Sequence, residues 1–99
     1  MTVYVIAQLR FTDVAAYRRY QAAFPPVFAK FDARVLAADE SPRVLEGTWT
    51  GNKVVVMSFP DEAEAQRFVD DPDYAAISRD RHAGAETISL LVQGIRPRG

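Results

Sequence analysis

The order in which apolar patterns arrive along the chain limits its fold more than any motif does. Residues 3–11 alternate as a strand does, and residues 14–31 carry apolar groups at helical spacing. Two or three strand-like runs follow between Arg34 and Phe59. Helical signals return from Asp61 to Ala83, and a last strand-like run covers Thr87–Gln93. Read as β-α-β-(β)-β-α-β, this order predicts an α+β fold: a split β-α-β, ferredoxin-like sandwich with two helices on one face of an antiparallel sheet.

Such a sheet has a second face, and its composition matters. In the first strand Val3, Val5, Ala7, Leu9 and Phe11 fall on one side, and Tyr4, Ile6, Gln8 and Arg10 on the other. The wholly apolar set belongs under the helices. Further on, Val55, Met57 and Phe59 oppose Val54, Val56 and Ser58, while Ile88, Leu90 and Val92 oppose Thr87, Ser89, Leu91 and Gln93. A sheet face left in water carries charge more regularly than this. The second face is assigned Tyr4, Ile6, Val54, Val56 and Leu91, with Gln8, Arg10, Ser58 and Ser89 as its polar members. A second copy of the chain is expected to cover it, because large apolar patches are rare on monomers.

Local signals place the breaks. Thr12 or Asp13 caps the first helix. Pro25 and Pro26 interrupt it, and a kink or restart is expected near Phe24, since an internal proline loses a backbone hydrogen bond and clashes with the preceding turn. A second strand is expected at Arg34–Glu40, a short strand or hairpin arm at Val44–Trp49, and a central strand at Lys53–Phe59. Asp61 and Glu64 stand at capping-box spacing. Asp71-Pro72 restarts the second helical region, with Asp71 as N-cap and Pro72 in the first turn, and Ala83-Gly84 ends it.

Composition removes several functional classes. The 99 residues suit one domain spanning 1–99. Twelve basic and 13 acidic side chains, mixed along the chain, give a net charge of −1, so neither a nucleic-acid nor a membrane partner is expected. With no cysteine there is no disulfide, thiol nucleophile or thiolate metal site, and the single histidine argues against a His-based metal centre. No apolar run approaches the ~20 residues of a membrane span. A strand pattern begins at once, without a leader-like segment, so a cytoplasmic location is expected. No cofactor is expected either.

Five phrases occur together in order: Tyr17-x-x-Tyr20, Arg34-Val35-Leu36-Ala37, Val44-Leu45-Glu46-Gly47-Thr48-Trp49, Val54-Val55-Val56-Met57-Ser58-Phe59-Pro60 and Asp71-Pro72-Asp73-Tyr74. Through them the chain resembles the domain-of-unknown-function family numbered 1330, of the dimeric α+β barrel superfamily, over Tyr4–Gly94. The resemblance implies a ferredoxin-like protomer whose sheet packs on that of a second copy. Phe31-Asp32-Ala33 departs from the glycine pair usual before the second strand, and Phe68-Val69 from a more aromatic pair. The resemblance implies no reaction. Superfamily relatives include cofactor-independent monooxygenases, lactone isomerases and haem enzymes, but a fold does not fix function.

The candidate site residues are therefore chosen on side-chain chemistry. Glu46, in an apolar phrase and matching the family's glutamate, is a candidate general base, or else an edge-strand glutamate in water or one tied to Arg34 or Arg43. His82 is a second candidate acid or base, with a helix-terminal solvent position as its plainer reading, and is the only histidine available as an axial ligand should a haem bind. Tyr17, Tyr20, Trp49 and Tyr74 combine large apolar bodies with polar tips, suiting a flat ligand or a hydrogen-bonded core. Arg81 is a candidate carboxylate anchor, with a surface or intrachain ion pair as its plainer reading. The expected protein is a homodimer that binds a small organic ligand between sheet and helices. The alternative is a cofactor-independent enzyme, a proton-transfer, isomerase or monooxygenase type, acting on a small cyclic or aromatic compound.

Overall fold

The computed structural model describes residues 1–96; positions 97–99, the end of the expected 1–99 domain, lie outside the described residues. In chain order the elements are β1 (Val3–Phe11), α1 (Val14–Phe28), β2 (Arg34–Asp39), β3 (Lys53–Phe59), α2 (Glu62–Val69), α3 (Pro72–Gly84) and β4 (Ala85–Gln93). The strands form one sheet in the order β2-β3-β1-β4, and every neighbouring pair is antiparallel. This is the ferredoxin-like α+β arrangement.

Two expectations about elements need correction. Val44–Trp49 is irregular, not a strand. Both edges of β3 are already taken, by β2 and β1, so the segment has no free edge of β3 to join. Gly47 adopts a φ of +85°, which ends any extended run, and Leu45 is 83% exposed. The first helix, in turn, does not break near Phe24 but runs on to Phe28. Its two prolines leave the Gln21 and Ala22 carbonyls without their usual donors. Both residues are exposed at the helix surface, on the side where solvent can reach the chain.

Caps fix the helix starts. The Asp13 carboxylate accepts from the Ala16 amide at 3.3 Å, that of Asp61 from the Glu64 amide at 2.8 Å, and that of Asp71 from the Tyr74 amide at 3.0 Å. Glu64 does not return the capping-box bond. Its carboxylate accepts from the Asp32 amide (2.9 Å) and from Arg67 (2.7 Å), tying the turn before β2 to α2.

Register decides which side chains meet the helices, because cross-strand partners share a face. Val5 pairs with Met57 and Leu91, and Ala7 with Val55 and Ser89. Leu91 and Ser89 thus lie on the helix side, contrary to the sequence expectation. Ile6 pairs with Val56 and Leu90, Tyr4 with Val92, and Gln8 with Val54 and Ile88. The open face is therefore Tyr4, Ile6, Val54, Val56, Ile88, Leu90 and Val92, with Gln8, Arg10 and Ser58. Both faces of β4 mix apolar and polar groups, so its alternation alone does not orient it; its pairing with β1 does.

The buried core forms two adjoining clusters on the helix side. Val3, Val5, Met57, Phe59, Ala65 and Phe68 make the first, with Phe24, Phe28, Phe31 and Tyr74 packed against it. Ala7, Leu9, Tyr17, Tyr20 and Ala85 make the second. The end of α3 holds the start of α1: the Thr12 and Asp13 amides donate to the Gly84 carbonyl at 2.9 and 3.1 Å. A Cβ on Gly84 would run into the Tyr17 amide and lie 2.7 Å from the Asp13 carbonyl oxygen. This approach seats Tyr17 over the sheet.

Candidate functional site

Between the sheet and the helices lies a cavity of about 370 Å³. Val5, Ala7, Leu9, Val55 and Met57 form its floor, and Tyr17, Tyr20 and Phe24 of α1 one wall. Phe68 of α2 and Tyr74 and Arg81 of α3 supply another, while Thr87 and Ser89 line it from β4. Strand alternation explains the floor, since every second residue of β1 and β3 points this way. The α1 wall follows from 3/4 spacing, which puts positions 17, 20 and 24 on one stripe.

The tyrosines form a continuous aromatic row. Ring centroids are 5.7 Å apart for Tyr17 and Tyr20, 5.8 Å for Tyr20 and Phe24, and 6.5 Å for Tyr20 and Tyr74. Burial, with the neighbouring Tyr74 hydroxyl adding to it, pushes the Tyr20 phenol well above the ordinary tyrosine range. Arg81 opposes that shift without cancelling it. Tyr20 is therefore a neutral hydroxyl at any physiological pH.

Two cations reach the cavity. Lys53 is buried, with its ammonium 4.9 Å from the centre of the Tyr17 ring and 3.4 Å from a Glu40 carboxylate oxygen. Glu40 is also held by Arg18, at 2.7 Å through Nη2. The Arg18 hydrogen bonds foremost, with Lys53 assisting, hold the Glu40 carboxyl down at about 2. Arg81 is different. Its guanidinium carbon lies 5.7 Å from the Tyr20 ring centre and 5.8 Å from that of Tyr74, and its buried Nε has no hydrogen-bond acceptor among the described residues. The Thr87 hydroxyl oxygen is likewise buried and unpartnered.

Of the residues singled out from sequence, Tyr17, Tyr20, Tyr74 and Arg81 come together here. Trp49 does not join them. Its indole Nε1 donates to Gln8 Oε1 at 3.1 Å on the other face of the sheet, beside a second cavity of about 210 Å³ with Arg10, Glu86 and Ile88. Glu46 and His82 are exposed and line neither cavity. Glu46 sits in the irregular arm and forms no ion pair with Arg34 or Arg43 among the described residues. Sequence reasoning passed over Lys53 and Thr87. The signal was present for Lys53, which continues the helix-facing series Met57, Val55 in the same strand. Among the described residues, no group of three or more His, Cys, Asp or Glu side chains is placed to hold a metal ion. No described helix is long and apolar enough to cross a membrane.

Comparison with known proteins agrees with this architecture. The family model described as "Domain of unknown function (DUF1330)" matches residues 2–95, and the chain belongs to that family. No curated protein matches the chain. Among solved structures, the chain is similar to a protein of unknown function from Rhodopseudomonas palustris, with a TM-score of 0.81 and 17% identity over 97% of this chain and 84% of that one. It is also similar to SnoaB, a cofactor-independent oxygenase from Streptomyces nogalater (TM-score 0.69, 12% identity, 97% and 95% covered). A third is a dimeric protein of unknown function and ferredoxin-like fold from Bacteroides fragilis (TM-score 0.66, 13% identity, 94% and 96% covered). At these identities the likeness is one of fold.

Proposed function

We propose that this member of the DUF1330 family binds a small organic ligand between its sheet and helices, and works as a homodimer joined through the open sheet face. One observation carries the ligand: an apolar-walled cavity of about 370 Å³ into which tyrosine, arginine, lysine and threonine side chains converge. Small-molecule sites occupy roughly 300–1,000 Å³ and combine apolar walls with a few placed polar groups. A purely structural core would be filled at crystal-like density. The dimer is supported by the exposure of Ile88 and Leu90, at 61% and 48%, on a face of otherwise apolar strands. A similar fold occurs as a dimer in the Bacteroides protein.

Catalysis by Glu46 or His82 forms no part of the proposal, because both stand in solvent away from the cavity walls. A cytoplasmic location and the lack of a nucleic-acid partner belong to the proposal, supported by the near-neutral, evenly mixed charge. The ligand reading is tested by saturation-transfer NMR with a set of small aromatic compounds on the wild type and on Ala38→Phe. Ala38 lines the cavity from the exposed edge strand, where a phenyl ring projects into the space without displacing core. Contacts seen on the wild type and lost in the variant are expected. Compounds that bind both proteins equally, or none at all, would contradict the reading.

A further inference from the structure

We infer that the ligand carries a carboxylate on a flat, apolar ring, and that Arg81 is its anchor. The inference rests on the ligand-binding reading above and narrows it to a chemical class.

A guanidinium stays charged at every physiological pH, and withdrawing it from water without an anion is costly. Of the exposed arginines, Arg10, Arg18, Arg19 and Arg67 each hold a carboxylate of this chain, and the others stand in water, where a guanidinium needs none. Arg81 is the one arginine among the described residues that is not exposed, and it holds none. The acids near it in the chain are engaged elsewhere: Asp80 with Arg19 at 3.2 Å, and Asp73 with Lys30 at 2.8 Å. Two tyrosine ring faces offset part of the charge, yet they leave the buried Nε–H without an acceptor among the described residues. A cation in the last turn of α3 also suits the helix dipole. The dipole is served equally by exposed His82, however, and does not account for a guanidinium turned into a cavity.

The remaining polar groups complete the description. The other cation, Lys53, shares Glu40 with Arg18, which leaves Arg81 as the cation lining the cavity that no carboxylate of the described residues faces. The orphaned Thr87 hydroxyl offers a donor that a carboxylate accepts. The floor of Val5, Ala7, Leu9, Val55 and Met57 is apolar and takes the ring.

The test is isothermal titration of the protein with 2-naphthoate and with its neutral isostere 2-naphthamide, repeated on Arg81→Met. In the wild type the acid is expected to bind about 10–100-fold tighter than the amide, the range spanned by a charge-assisted hydrogen bond. In Arg81→Met the two affinities become equal through loss on the acid side. Where that variant fails to fold, Arg81→Lys keeps the charge without the planar fork and is expected to lower the preference without abolishing it. Equal affinity of acid and amide in the wild type would overturn the carboxylate inference and leave the cavity reading standing. Binding of neither probe would overturn both.

Discussion

At the residue scale, the cavity owes its character to charges whose partners the fold fixes unequally. Lys53 tolerates burial because Glu40 and the Tyr17 ring face it. Glu40 titrates at about 2 when folded, well below the ordinary carboxylate value of 4.5. A carboxyl so depressed favours the folded state above pH 4.5, and that contribution is lost as the pH falls from there towards 2. Glu40→Gln is therefore expected to lower resistance to urea at pH 7. Its deficit against the wild type should narrow steadily below pH 4.5, and a deficit constant across that window would contradict the assignment. Phe68 makes a simpler case. It is 1% exposed, with ring centroids 5.4–5.6 Å from Phe28, Phe31 and Phe59 and 4.1 Å from Tyr74. Phe68→Ala should cost about 3–5 kcal/mol by chemical denaturation, as transfer and cavity terms add. Individual residues were legible in sequence where alternation or helical spacing reported on burial, as for Tyr17 and Tyr20. Glu46 was not, since its apolar neighbours Val44 and Leu45 are themselves in solvent.

At the element scale, the legible boundaries were those written in local chemistry. Asp71-Pro72 marks the α2–α3 break because an aspartate cap and a first-turn proline act within four residues. The orientation of β4 is long-range: it follows from hydrogen bonding to β1, which neither strand encodes alone. The prolines of α1 misled for a related reason. Their cost depends on whether the freed carbonyls meet water, and the exposure of Gln21 and Ala22 is set by the packing of the whole helix. Gly84 belongs to this scale too, since its lack of a side chain lets the end of α3 touch the start of α1. Gly84→Ala is expected to cost about 1–3 kcal/mol in denaturation, the usual penalty for overpacking. It should also weaken 2-naphthoate binding, because the displaced backbone carries Tyr17. An unchanged stability would mean that this junction is looser than its geometry indicates.

At the scale of the whole molecule, the sheet separates two tasks. One face, under α1, α2 and α3, builds the core and the cavity; the other presents Tyr4, Ile6, Val54, Val56, Ile88, Leu90 and Val92, with Trp49 lying against Gln8 at one end and no helix over it. The pattern of alternation announced the existence of that second face, although it misassigned Leu91 and Ser89. A charge placed at its centre separates the tasks experimentally. If the proposed dimer forms through this face, Ile6→Glu with Leu90→Glu, cross-strand partners, should elute as a folded monomer in size-exclusion chromatography, since both side chains point away from the core. The central claim is that a second copy takes the place of water on this face. Light scattering of the wild-type protein at micromolar concentration tests it most directly. A particle of twice the 11.0 kDa chain mass is the expected result, and a single 11.0 kDa species would contradict the claim.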